Sequence, residues 1–400
     1  MQKINIYTIP QHDNFVWNLH QDLINLIEVE TIKELWRLDN CTIIINVPQD
    51  ILCGSYARFR EINSGVKENI TYFLDKNKNN KIILLDIFEA GHGVYDFLNI
   101  YGLMQYALEK KLIFVNAGEN APEIEVAVQD ICIGFIANRD NVNCSLQNFE
   151  NIYAKKNKPY TFILLNGHAR PHRVALLQRL GKNKVLDNAL WSLHDLDYDQ
   201  NKIIDQYKVD FSTNCVRLNK LPDEYDNIPS ITSNIKGDLY SIEKVFGTVE
   251  LMQFNMVNTE KQYIDSYFSV VAEQWHYWDY PFPSEKILRP ILMGHPFIAV
   301  SSPNFYKKLK NMGFKTFDSL IDESFDPLMD HAERLKRSAE SITALARLSK
   351  SNLDSFLSAS KEICKHNREN LLALYGTRYI DNYNNMHNFI LRNFINVKTI

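Results

Sequence analysis

Tyr160–Leu180, YTFILLNGHARPHRVALLQRL, sets the fold class by itself. Six residues suited to a buried strand run into Asn166-Gly167. A short basic segment follows, and then apolar residues return at helical spacing from Val174. A continuous apolar run of this length is the pattern of a parallel strand covered on both faces, and the sequel is the α of a β–α unit. Working outward, the same rhythm recurs. Lys3–Ile9, Cys41–Val47, Lys81–Ile87 and Lys111–Asn116 read as strands, with Asn14–Leu38 and Val94–Glu109 as helices between them. After residue 160 the rhythm continues through the strand SYFSVVAE, the helix SEKILRPILMG and the strand PFIAVSS. The polar stretch Ala137–Pro159, with its KKNKP, reads as an interdomain linker, and the residues beyond Asp330, poor in Gly and Pro, read as helices.

The expectation is therefore an α/β protein of two Rossmann-like domains, 1–150 and 151–345, with a helical C-terminal extension over 346–400. Four hundred residues exceed one ordinary core, and 45% hydrophobic with 23% charged residues is globular composition. A net charge of -4 gives no overall attraction to nucleic acid. The six cysteines are scattered without a C-x-x-C pair, which points to reduced thiols. No apolar run reaches the roughly 18 residues of a membrane span, and the N-terminus lacks a signal-peptide core, so a cytoplasmic protein with no membrane segment is expected.

Two strand-to-helix turns carry the chemistry. In Tyr280–Val300, YPFPSEKILRPILMGHPFIAV, Ser284-Glu285-Lys286 opens a helix that Gly294 closes. A helix N-terminus favours anions, Lys286 adds positive charge toward a pyrophosphate, and Glu285 suits ribose hydroxyls. The competing reading is an ordinary cap with a solvated Glu-Lys pair. In the earlier turn, Arg170, His172 and Arg173 follow Asn166 on what reads as a basic loop, where arginine offers paired donors to phosphate. A surface loop is the competing reading there. Trp275, His276, Tyr277, Trp278 and Tyr280 form an aromatic patch just upstream of Ser284, where stacking on a base or sugar competes with plain packing, Tyr280 and Trp278 having the better claim by their closeness to the Glu-Lys turn.

The pair N-x-x-x-R-x-x-R before an apolar helix and [ST]-E-K-x7-G-x-P resembles the C-terminal nucleotide-sugar domain of the α1,3-fucosyltransferases. VVAEQW and SSPNFYKKLKNMGFKTFDSLIDESFD extend the likeness to fucosyltransferase-like proteins of phages and bacteria, over roughly residues 160 to 345. The resemblance implies a GT-B fold, two domains facing a cleft, and inverting glycosyl transfer that needs no metal or other cofactor. The donor would be a UDP- or GDP-linked sugar and the acceptor a glycan, a protein or a modified nucleic acid. Carried over, Arg173 contacts the diphosphate, Glu285 the ribose and Lys286 the phosphates, with Asn166 and Ser284 lining the pocket and Arg170 nearby. Arg289-Pro290 departs from the family pattern and leaves the donor's identity open.

Inverting transfer needs a base for the acceptor hydroxyl. Glu89, in LLDIFEAGHG, is the first candidate, with Asp86 and His92 as alternatives and Glu119 further along; each also has an ordinary reading as a turn or solvated residue. His194-Asp-Leu-Asp-Tyr-Asp superficially suggests a metal-binding D-x-D, but closely spaced acids in a polar connection are common. A non-catalytic nucleotide-sugar-binding protein, or a virion-associated structural protein of the same fold, is the alternative to an enzyme.

Overall fold

The computed structural model describes residues 4–8, 24–46, 64–86, 98–99, 101–116, 126–128, 139–225, 260–274, 276–277 and 281–374. Within these, the chain forms two compact units, one within Met1–Ile131 and the other within Cys132–Ile231 and Gln253–Gly376, each with its own parallel sheet. This is the α/β, Rossmann-like organisation expected from the strand rhythm.

In the first unit the elements run β1 (Ile4–Thr8), β2 (Ile24–Glu28), α1 (Ile32–Arg37), β3 (Thr42–Asn46), α2 (Ser64–Lys76), β4 (Lys81–Asp86), α3 (Met104–Leu108), β5 (Leu112–Asn116) and β6 (Val126–Val128). The sheet order is β2-β1-β3-β4-β5-β6, parallel throughout. Ile43–Ile45 and Ile82–Leu84 are fully buried, as the unbroken apolar runs require, and so are Ile70, Phe73 and Leu74 of α2. Two helix readings need correction. Asn14–Leu38 is not one helix: Ile24–Glu28 pairs with β1 as an edge strand, and only Ile32–Arg37 is helical, started by Thr31, whose hydroxyl accepts from Glu34 N. Val94–Glu109 is broken at Gly102, whose φ of 64° is a left-handed turn before α3.

The second unit comprises α4 (Arg139–Ala154), β7 (Tyr160–Asn166), α5 (Pro171–Lys182), β8 (Leu190–Leu193), α6 (Gln200–Tyr207), α7 (Glu260–Ile264), β9 (Ser266–Ala272), α8 (Glu285–Met293), β10 (Phe297–Val300), α9 (Phe305–Asn311), α10 (His331–Ala346) and α11 (Lys350–Leu374). Its sheet order is β10-β9-β7-β8, again all parallel. From β7 the chain moves to β8 on one side, then returns to β9 on the other, so the winding reverses between β7 and β9. The helices sort accordingly: α5, α6 and α10 pack together, as do α4, α7, α8 and α11. All seven residues of β9 are buried.

The supposed linker is the helix α4. Its buried side, Ser145, Phe149, Ile152 and Tyr153, lies against α8, where Ser145 Oγ donates to Leu292 O and Tyr153 OH donates to Gly294 O at 2.8 Å. A polar helix with one narrow apolar stripe reads as a linker until its partner is known. The C-terminal region is helical as expected through Leu374. There α11 packs on β9 through Phe356 and Phe268, whose rings are 6.3 Å apart, and the Asn367 amide clasps the backbone of Lys315 at 2.7 and 2.8 Å. Of the cysteines, Cys41, Cys215 and Cys364 are free thiols. Among the described residues, no helix is long and apolar enough to cross a membrane.

Gly294 ends α8 at φ 70°, and a side-chain carbon there would overlap the ring of Phe149. Left-handed strain and overpacking act together, so Gly294→Ala should lower unfolding free energy by roughly 2–5 kcal/mol. Denaturant titration will register this as a lower midpoint at unchanged m value.

Candidate functional site

Because β7 and β9 are neighbours at the reversal, the helices that follow them, α5 and α8, both begin at the carboxyl edge of the sheet. Such a switch point is where open α/β sheets take ligands, and helix N-termini there favour anions. His172 and Arg173, expected on a loop, lie in the first turn of α5, with Arg170 as its N-cap and Pro171 as its first residue.

The tripeptide at the carboxyl end of β9, Ala272-Glu273-Gln274, joins the two turns. Its successive carbonyls accept from Arg173 Nη2 at 3.2 Å, His172 Nε2 at 2.8 Å and Arg170 Nη1 at 3.3 Å. The Glu273 carboxyl, 1% exposed, turns the other way: its Oε1 accepts from Ser284 N at 3.2 Å and its Oε2 bonds Ser284 Oγ. Ser284 Oγ in turn accepts from Lys286 N at 3.1 Å and caps α8. Burial raises the Glu273 carboxyl above its usual range, with Lys286 opposing and Glu285 reinforcing the shift. Sequence reading passed over Glu273, although an acid directly after the apolar run Val270-Val271-Ala272, at the strand's carboxyl end, is a signal it could have used.

Arg173 is buried, and burial with the neighbouring Arg170 pushes its guanidinium down to about 10, against the attraction of Glu273, Glu285 and Asp195. It stays charged at neutral pH. Two of its N–H groups are spent on the carbonyls of His168 and Ala272, while Nε has no partner among the described residues. Asn166, at the end of β7 and 1% exposed, has neither amide oxygen nor amide nitrogen bonded among the described residues. Leaving such groups unmade costs about 1–3 kcal/mol each, and native proteins keep the exceptions mainly where a ligand or water completes them. Beside Asn166, a side-chain carbon on Gly167 would meet no atom within 4 Å, so the backbone there borders open space.

On α8, Glu285 and Lys286 form an ion pair that is partly buried. Burial pushes the Glu285 carboxyl up, but Lys286, its hydrogen bond and Arg289 outweigh this and hold it below the usual range. The hydroxyl of Ser284, expected to line the pocket, bonds Glu273 and caps the helix. The acidic run after β8 also has structural work. Asp195 accepts from Ala169 N and pairs with His168 Nδ1, both at 2.9 Å, bracing the turn before α5, and Asp199 caps α6 through Lys202 N at 3.1 Å. Among the described residues, no group of three His, Cys, Asp or Glu side chains could hold a metal ion.

Comparison with known proteins gives no match, either to a family model or to a curated sequence. The site therefore rests on its own geometry.

Asn166, Arg170, Arg173, Ser284, Glu285 and Lys286 thus belong to two strand-to-helix turns of the second unit, and Arg289 lies one helical turn further along α8. Asp86 ends β4, in register with Asn116 of β5. Glu89, His92, Glu119, Trp275, Trp278 and Tyr280 lie outside the described residues.

Behind the site, the imidazoles of His172 and His276 stack 5.5 Å apart at 11°, and among the described residues neither nitrogen of the fully buried His276 is hydrogen-bonded. Burial, then His172, Arg334 and His331, hold the His276 pKa well below its ordinary value. The unfolded chain consequently binds more protons than the native one, so stability is full above the unfolded pKa of about 6.5 and is lost as pH falls below it. His276→Phe, keeping a ring in the stack, should make this acid slope shallower by up to about 1.4 kcal/mol per pH unit. Urea unfolding at pH 7, 6 and 5 measures the change.

Proposed function

We propose that this chain is a glycosyltransferase whose nucleotide-sugar donor, UDP- or GDP-linked, occupies the two strand-to-helix turns of the second unit. The observation that carries the reading is that, among the described residues, the buried amide of Asn166 at the end of β7 and the buried Nε–H of Arg173 at the start of α5 both lack partners, at the sheet's switch point where the Glu285–Lys286 pair opens α8. A nucleoside diphosphate has the complementary groups. Its phosphate oxygens accept from Arg173, Arg170, Lys286 and the helix N-termini, and its ribose hydroxyls both donate and accept, as Glu285 and the Asn166 amide require.

The same positive groups stabilise the diphosphate as it leaves, which is the larger part of catalysis when a sugar departs from such a group. The two units are read as the acceptor and donor halves of a GT-B, fucosyltransferase-like enzyme that transfers with inversion and without a metal. Glu89, with Asp86 and His92 as alternatives, takes the proton from the acceptor hydroxyl of a glycan, a protein or a modified nucleic acid.

The test is a panel of UDP-, GDP-, CMP- and TDP-sugars, followed by thermal shift and donor hydrolysis. At least one donor should raise the melting temperature. Arg173→Ala and Lys286→Ala should each weaken its binding by about tenfold or more, the loss of a charge-assisted hydrogen bond. Glu89→Gln should spare binding and abolish transfer. Stabilisation by none of the donors would end the reading, and binding without hydrolysis or transfer would make the chain a nucleotide-sugar-binding protein instead.

A further inference from the structure

Resting on that donor site, we infer that Glu273 is its positioning residue: through Ser284 it sets the first turn of α8, and hence Glu285 and Lys286, against the arginines of α5. Glu273 is bonded to both turns at once. Its carbonyl accepts from His172 of α5, while its carboxyl takes the backbone N–H and the hydroxyl of Ser284.

Packing alone does not call for a carboxyl group here. Burying one is costly, and a residue whose task was to fill the space behind α8 would be apolar. Capping does not call for it either, because Ser284 Oγ already accepts from Lys286 N. What the carboxyl adds is a grip on Ser284 N, the last N–H before the helix, together with a fixed rotamer for the capping hydroxyl. Glu285 and Lys286 follow directly in the chain, so this grip fixes where both side chains start. Displacing binding groups by even about 1 Å is enough to cost substantial function. On the far side, the carbonyls flanking Glu273 hold Arg173 and Arg170, so one tripeptide sets the separation of the two charged turns.

The experiment uses the full chain and titrates GDP and UDP calorimetrically into wild type, Glu273→Gln, Ser284→Ala, Ser284→Thr and the Glu273→Gln/Ser284→Ala double variant. Denaturant midpoints are recorded separately, so that loss of fold is not read as loss of affinity. Glu273→Gln and Ser284→Ala should each weaken binding by the folded protein about tenfold, with the double variant no weaker than the worse single one. Ser284→Thr, which restores the hydroxyl, should recover affinity to within about threefold of wild type. Unchanged affinity in Glu273→Gln, or losses that simply add, would overturn the inference while leaving the donor site standing. Should Glu273→Gln fail to fold, the serine pair decides: loss in Ser284→Ala with recovery in Ser284→Thr supports the coupling, and wild-type affinity in Ser284→Ala refutes it. Wild type binding neither nucleotide removes the donor reading, and this inference with it.

Discussion

The carboxyl edge of the second sheet depends on one constraint: backbone carbonyls that leave a buried strand must find donors, and buried cations must find acceptors. The carbonyls of Ala272, Glu273 and Gln274 meet Arg173, His172 and Arg170 for this reason. Arg334 of α10 follows the same logic one strand along, donating to Ser301 O at the end of β10 and to the carbonyls of His276 and Leu328. Arginine suits the task because its planar fork satisfies several carbonyls and still keeps N–H groups and charge in reserve. At Arg173 that reserve is the Nε–H, which, like the amide of Asn166 at the end of β7, has no partner among the described residues.

Topology supplies the rest of the site. Reversal of winding between β7 and β9 brings the starts of α5 and α8 together, so two helix N-termini share one sheet edge. Neither turn would make a site alone. The α5 turn brings cations that burial has partly spent on carbonyls, and the α8 turn brings a Glu-Lys pair whose charges nearly cancel. Together they set arginines, a lysine and the carboxylates of Asp195, Glu273 and Glu285 around the two turns, next to open backbone at Gly167. The sheet of the first unit reverses in the same way between β1 and β3.

Support for these turns comes from behind the sheet edge and is partly made of neutral polar groups. His295 accepts from Ser269 Oγ at 2.9 Å and donates to Ser266 O at 3.0 Å, tying the segment after α8 to β9, and burial pushes its pKa down to about 3. His172 stays neutral for the same reason and is a bridge between α5 and the end of β9. Imidazoles serve here as rigid, uncharged hydrogen-bonding plates, which are cheap to bury at neutral pH and costly in acid.

Long apolar runs made the main strands legible from the amino-acid sequence, because a parallel strand covered on both faces has nowhere to place polar side chains. Ser284 and Gly294 marked the limits of α8 just as clearly, since helix ends need a capping oxygen and a left-handed residue. Periodicity failed where an element's partner decided its state. Ile24–Glu28 has helix-like apolar spacing but becomes a strand because β1 offers it a free edge, and the polar α4 is a helix because α8 accepts its narrow stripe. Residue types alone likewise named Arg173, Glu285 and Lys286, whose chemistry is local. That Asn166 is orphaned, that Ser284 is already engaged, and that Glu273 joins the two turns depended on which strands lie side by side. Hydrogen bonds between residues about a hundred positions apart have no local signature, so only the tertiary structure could decide them.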